Sequence, residues 1–153
     1  MTAVLDVSAA IEILLQKDKK ELFTAAYEKA SWVIAPDLYI SELSNVLWKY
    51  HKSGLMNQTE CIQYVQDGIE LIDDYFPSRE LWKEALGEGI KNAHSVYDMY
   101  YAVLARRNAA TLITNDNKLG LLCEKLSIES CTDKTLRGKL DWEGDLEAMR
   151  LDK

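Results

Sequence analysis

Thr2-Ala3-Val4-Leu5-Asp6-Val7-Ser8 decides how the rest of the chain is read. A short, mostly apolar stretch with strand character ends on an aspartate. Ser8 follows, placed to cap a helix whose apolar residues are Ile11, Leu14 and Leu15. Asp6 interrupts an apolar run, with Val4-Leu5 before it and Val7 after it, where an unpartnered carboxylate would be costly to bury. A strand that stops on a carboxylate and passes straight into a helix is the first half of a β-α unit.

The same alternation recurs along the chain. A second helix is predicted from about Lys20, with Leu22, Phe23, Ala26, Tyr27 and Ala30 at helical spacing. Trp32-Val33-Ile34-Ala35 reads as a buried strand stopped by Pro36. Asp37 then caps a helix that carries Ile40, Leu43, Leu47 and Tyr50 on one face and ends near Ser53-Gly54. Asn57 or Thr59 opens a helix stopping at Gly68, and residues 70–76 form a strand candidate ended by Pro77. Ser78 caps a helix with Leu81, Trp82, Ala85 and Leu86. Ser95-Val96-Tyr97-Asp98 has the form of a capping box and opens a helix through Arg107. A β-branched strand at 110–114, a short helix at 117–126 and a last strand at 128–131 complete the pattern. Strands alternating with helices predict an α/β fold, a parallel sheet covered on both faces.

Length and composition narrow the function classes. At 153 residues and 48% apolar content, the chain fits one globular domain and not a disordered tail. Its longest apolar stretches fall far short of the ~20 residues a bilayer span requires, so no membrane role is expected. No basic segment followed by an apolar run opens the chain, and a secretory leader is not expected. Cys61, Cys123 and Cys131 are scattered without a CxxC pair, which argues against disulfides or structural zinc and for a cytoplasmic location. With 18 basic against 25 acidic residues, the net charge of −7 disfavours a protein that coats duplexes by counterion release. It leaves room for an enzyme that holds nucleic acid through a metal and a few local cations.

In a parallel sheet, ligands bind outside the carboxyl ends of the strands. Asp6 follows the first strand and Asp116 follows the strand at 110–114. Asp98 lies in the first turn of the preceding helix, and Glu42 one to two turns into the helix after Pro36. Antiparallel helices start at the strands' carboxyl edge, so all four converge on one rim. Each has a local reading as well. Asp98 can be the acidic partner of Ser95, Glu42 an exposed residue paired with Lys49, and Asp116 an Asx-turn residue in Asn115-Asp116-Asn117. Converging carboxylates repel one another, and a hard divalent cation with oxygen ligands relieves that repulsion. His51 and His94 are not spaced for zinc, and His94 is expected to be a solvated loop residue. No nucleophile elbow or glycine-rich phosphate loop is present, which leaves Mg²⁺ or Mn²⁺ as the expected ion.

Four pieces carry a resemblance: Val4-Leu5-Asp6-Val7-Ser8; Ala35-Pro36-Asp37 continuing to Glu42-Leu43-Ser44-Asn45-Val46-Leu47; Tyr97-Asp98-Met99-Tyr100-Tyr101-Ala102; and Leu112-Ile113-Thr114-Asn115-Asp116. In this order and spacing the chain resembles the PIN-domain nucleases, most closely the VapC-type toxins of toxin–antitoxin systems. The resemblance implies a three-layer α/β/α sandwich with a mainly parallel central sheet over residues 1–131. Residues 132–153 would be a C-terminal extension, expected to be helical. It implies a metal-dependent endoribonuclease with Asp6, Glu42, Asp98 and Asp116 as the catalytic cluster and Asp6, Asp98 and Asp116 on the metal. Ser8, Thr114 and Asn115 would support them. Hydrolysis in line with the departing 3′ oxygen would leave a 5′ phosphate. Lys49, Lys52, Arg106, Arg107 and Lys118 lie near the inferred rim as candidates to hold RNA phosphates.

The resemblance also implies a homodimer silenced by an antitoxin. Tyr27, Trp48, Tyr50, Tyr64 and Trp82 supply large side chains of the kind interfaces favour. Trp142, Leu146 and Met149 form one apolar stripe on a short C-terminal helix. Two other readings compete: a catalytically inactive PIN-like RNA-binding or protein-interaction module, and a doubly wound phosphotransfer or phosphatase domain with Lys118 as its basic partner.

Overall fold

In the computed structural model, which describes residues 1–136, the run at 2–5 becomes the middle of the sheet. The elements are β1 (Thr2–Leu5), α1 (Val7–Leu14), α2 (Lys20–Glu28), β2 (Trp32–Pro36), α3 (Leu38–Lys52), α4 (Gln58–Glu70), β3 (Asp74–Phe76), α5 (Ser78–Asn92), α6 (Val96–Arg107), β4 (Thr111–Ile113), α7 (Asn117–Lys125) and β5 (Ser130–Cys131). The strand order is β3-β2-β1-β4-β5, and every pairing is parallel. Val4 stands opposite Ile34 on one side and Leu112 on the other. Ala3, Val4 and Leu5 are fully buried, as expected of a central parallel strand covered on both faces.

The chain steps outward from β1 through β2 to β3, then returns to β4 and β5. Right-handed crossovers therefore put α1 to α4 on one face and α5 to α7 on the other. The packing agrees. Helix α1 touches α2, α3 and α4, while α6 lies across β1, β2 and β4 with α5 on its back. Helix α6 buries Met99, Tyr101, Ala102, Val103, Leu104 and Ala105, so its apolar character runs nearly all round, as in a helix enclosed by its neighbours. The expected three-layer α/β/α architecture is what the chain forms.

Several local expectations are corrected. Asp6, not Ser8, caps α1, accepting from the Ala9 amide at 3.0 Å. Asn57 does cap α4, through the Glu60 amide at 2.8 Å. Helix α4 continues through Gly68 to Glu70, so the strand expected at 70–76 shrinks to Asp74–Phe76. Gly68 is a point of close packing, not a stop. A Cβ there would collide with the Leu43 and Leu14 side chains. Asp37 caps nothing in α3; its Oδ1 accepts from the Ser78 amide and hydroxyl, tying the end of β2 to the start of α5. Ser78 is the first helical residue of α5, behind Pro77. The capping box at Ser95 does not form, because Asp98 turns to His94 instead.

Leu136 still packs on the core, five residues beyond the expected boundary at 131. The stripe of Trp142, Leu146 and Met149 lies outside the described residues. Among the described residues, no helix is long and apolar enough to cross a membrane.

Candidate active site

The chain leaves β1 toward one edge of the sheet and leaves β4 toward the other. Adjacent parallel strands whose connections diverge open a crevice at their carboxyl ends. Asp6 and Thr114 are the first residues past β1 and β4 and fall into that crevice. Asp6 is 6% exposed and Thr114 fully buried. Asp6 Oδ1 accepts from the Ser8 hydroxyl at 2.7 Å and from the Ala9 amide; Oδ2 accepts from the Thr114 hydroxyl. The Asn115 amide donates to Ser8 Oγ at 2.9 Å, and the Asp116 amide donates to Thr114 Oγ1 at 3.0 Å. Both loops are thus sewn to a single carboxylate.

A groove of about 410 Å³ opens over this point and is lined by Asp6, Glu42, Asp98 and Asp116 together with Ser8 and Asn115. The four carboxylates predicted to converge do share one cavity. Each is held differently. Glu42 Oε1 accepts from the Tyr101 hydroxyl at 2.8 Å. Asp98 Oδ2 lies 2.9 Å from His94 Nε2. Asp116 Oδ1 caps α7 through the Lys118 and Leu119 amides at 2.9 and 3.2 Å, so its Asx role and its place in the groove coexist.

Burial, helped by the Asp98 charge, pushes the Asp6 carboxyl up to about 6 against the pull of its three hydrogen-bond donors. Glu42 is raised by burial, in part offset by Tyr101, and by the charges of Asp6 and Asp98. Asp98 is raised by burial and by Asp116, and lowered by its contact with His94. These groups disfavour one another's ionised forms, which is the electrostatic condition an added cation reverses.

A PIN domain family model matches residues 3–125. The chain belongs to the PIN domain family. A curated relative, ribonuclease VapC3 of Pyrobaculum aerophilum, is 27% identical over 121 residues, covering 78% of this chain and 92% of the relative. Among solved structures, PAE2754 from Pyrobaculum aerophilum superposes with a TM-score of 0.65 at 19% identity, over 92% of this chain and 96% of that one. VapBC2 from Rickettsia felis, bound to a DNA fragment from its promoter, gives a TM-score of 0.60 at 13% identity, over 86% and 98%.

The donor set of this PIN domain suits a hard divalent cation: carboxylate oxygens on a shared wall, with no thiolate and with a single imidazole turned onto Asp98. Among the described residues, no three His, Cys, Asp or Glu side chains close around a common point as they stand. What the four carboxylates share is one groove wall.

Two groups of residues stand otherwise than the sequence suggested. His94 is no solvated loop residue but the partner of Asp98, at 17% side-chain exposure. Arg106 and Arg107 lie at the far end of α6 and pair with Glu84 and Glu88 of α5. Lys49 and Lys52 sit in the last turn of α3 and do not line the groove; Lys52 lies over the Trp48 ring, 5.2 Å from its centroid. Lys118 stays beside Asp116 at the start of α7.

Sequence reasoning missed Glu12, Lys17, Tyr50 and Tyr101 as groove residues. Glu12 is 7% exposed and accepts from Asn115 Nδ2 at 3.2 Å and from the Lys19 amide at 3.3 Å, so it braces the β4–α7 loop. Glu42, Val46 and Tyr50 recur every four residues along α3, a face that the sequence could have disclosed.

Proposed function

We propose that this PIN domain is a Mg²⁺- or Mn²⁺-dependent endoribonuclease, the toxin of a type II toxin–antitoxin pair. The observation that carries the reading is the meeting of Asp6, Glu42, Asp98 and Asp116, from four separate segments, in one groove at the sheet's switch point. Asp6, Asp98 and Asp116 would hold the cation, which, when bound, polarises a phosphoryl oxygen and acidifies water. Asp6 is locked by three donors and supplies a fixed anionic point. The raised pKa of Glu42 suits a group that takes a proton from an attacking water, with the Tyr101 hydroxyl fixing the carboxylate through Oε1. His94 orients Asp98. In-line displacement of the 3′ oxygen then leaves a 5′ phosphate, and the 2′-hydroxyl acts as a recognition group and not as the nucleophile.

Cleavage of a labelled RNA by purified protein, with Mg²⁺ and with EDTA, tests the reading. Asp98→Asn is expected to lower the rate roughly ten- to a hundredfold, on the order of what loss of a metal-site interaction costs, with an unchanged circular dichroism spectrum. Wild-type rates in that variant, or equal cleavage in EDTA, would overturn the assignment.

The same proposal includes an antitoxin partner and a homodimer. Supporting it are exposed Trp48 (53%) and Ile62 (52%) on an apolar groove between α3 and α4, also lined by Leu47, Cys61 and Val65. Of the other large side chains noted in the sequence, Trp82 is exposed as well, while Tyr27 and Tyr64 pack on the core. Light scattering at high micromolar concentration checks the dimer, and a monomeric mass defeats it.

A further inference from the structure

The groove does not end at the carboxylates. Its other end is walled by Val46 and Tyr50 of α3 and by Lys17, which follows α1. Lys17 is the only lysine or arginine lining the groove among the described residues. Its position has a backbone cause. Gln16 takes a left-handed φ of 50°, a conformation that costs a non-glycine residue ~1 kcal/mol. This turns the chain sharply off α1, and the Lys17 amide donates back to the Glu12 carbonyl at 3.1 Å. The Lys17 ammonium then reaches over α3, donating to the Tyr50 hydroxyl at 3.2 Å and standing 5.9 Å from the ring centroid.

Neighbouring Lys19 shows the contrast. Its ammonium is occupied by Asn115 Oδ1 at 3.0 Å and by Asp133 at 3.5 Å. Lys17 makes no ion pair within 4.0 Å among the described residues; its polar partner is the Tyr50 hydroxyl. Glu12 and Asp18 act on the ammonium only through space, without a direct ion pair, which leaves its donors open to a ligand. From Glu42 to Tyr50 the α3 axis rises about 12 Å, enough to hold a nucleotide between the carboxylates and the phenol.

We propose that Lys17 and Tyr50 form a substrate subsite that holds a nucleotide flanking the scissile phosphate of single-stranded RNA. Lys17 takes the neighbouring phosphate and the Tyr50 ring takes the unpaired base. The assignment rests on the ribonuclease reading above and adds how the substrate is held. A net charge of −7 disfavours RNA binding by diffuse attraction. A single cation beside an aromatic face is a local solution, and stacking on the ring requires a base that is not paired.

The test uses the full chain and a fluorescein-labelled oligoribonucleotide of mixed sequence. Binding is read by anisotropy across a salt series with Ca²⁺ present, and turnover by initial rates in Mn²⁺. Lys17→Ala is expected to weaken binding severalfold and to reduce the slope of log affinity against log salt by about 0.7, one phosphate contact on a single strand. Its loss in turnover falls mainly on KM. Lys17→Arg retains affinity and slope. Tyr50→Phe keeps the stacking face and binds nearly as wild type, whereas Tyr50→Leu loses roughly 5- to 100-fold. Lys83→Ala, on the outer helix α5, changes neither quantity. The same strand annealed to its complement binds more weakly.

Wild-type affinity and slope in Lys17→Ala, equal losses in Lys17→Ala and Lys83→Ala, equal binding of the duplex, or no binding by wild type would each overturn the subsite. Cleavage by wild type that Lys17→Ala matches in KM overturns the subsite and leaves the nuclease standing. Binding that depends on Lys17 and Tyr50 without any cleavage does the reverse.

Discussion

At Asp6 the burial that the fold imposes opposes the charge that the proposed cation site requires. Its carboxyl titrates near 6 in the folded chain and near ~3.9 when unfolded. Between about pH 4 and 6 the folded state therefore holds a proton that the unfolded state has released. Stability falls as pH rises through that window, and above it the cation-free protein is weaker by about 3 kcal/mol than at acid pH from this group alone. Glu42 and Asp98 are shifted in the same direction and act in the same sense. Asp6→Asn removes the charge and keeps the size, and its amide nitrogen donates where Oδ2 accepted, so the Thr114 hydroxyl must turn to accept. In EDTA at pH 7.5 it is expected to be ~1–3 kcal/mol more stable than wild type, with the gain vanishing near pH 4. Urea denaturation at both pH values reads the difference, and an Asn variant that is weaker at both would show that the buried charge is not strained. Asp6 was legible in the sequence because it breaks an apolar run. His94 was not, since an i, i+4 contact made from the turn before a helix leaves no periodic trace. Glu12 left no signal in the sequence, because its partners, Asn115 and the Lys19 amide, come from other segments.

At the scale of elements, the apolar runs and their proline and glycine punctuation were enough to place each strand and helix named above among the described residues, and the errors lie at the ends. Gly68 read as a stop because glycine is a poor helix residue, yet α4 runs through it in order to approach α3 and α1 closely. Gly87 on α5 is the control, since a Cβ there meets nothing within 4 Å. The two glycines predict opposite signs for one substitution. Gly87→Ala should gain up to ~1 kcal/mol from helix propensity alone. Gly68→Ala gains the same increment but forces Leu43 and Leu14 to move, an overpacking cost of ~1–3 kcal/mol. It should come out neutral to ~2 kcal/mol less stable, and always below Gly87→Ala. Thermal melts of the two variants side by side decide it; an equal gain in both would mean that α4 is loosely seated. The misplaced arginines are also an error of element length. Helix α6 spans twelve residues, a rise of ~18 Å, so a residue near its C-terminus cannot stand with Asp98 at the rim.

For the whole molecule, the alternation of elements settled the parallel sheet, and the sheet's order settled where four distant carboxylates would meet. What the sequence could not show is how the groove continues past them, because that depends on a left-handed turn at Gln16 and on the face that α3 offers. The molecule as a unit is an acidic domain whose charge is concentrated, in part, where burial opposes it, and a divalent cation should therefore act on global stability. A ligand that binds only the folded state adds RT ln(1 + [L]/Kd), about 2.7 kcal/mol at a hundredfold excess over Kd. For a chain of this size that is a rise in Tm of roughly 5–10 °C. Mn²⁺ must compete with the proton on Asp6, so the rise should be larger at pH 7.5 than at pH 5. Asp6→Asn and Asp98→Asn should each remove most of it, and Asp6→Asn should also weaken its dependence on pH across this range, leaving the share that Glu42 and Asp98 carry. Adding EDTA should return the wild-type melt to its starting point. Calorimetry across the two pH values and three proteins separates the cases: a flat response up to high millimolar Mn²⁺ at pH 7.5 rules out a cation site in the free protein, and equal shifts in all three proteins put the ion somewhere other than the groove.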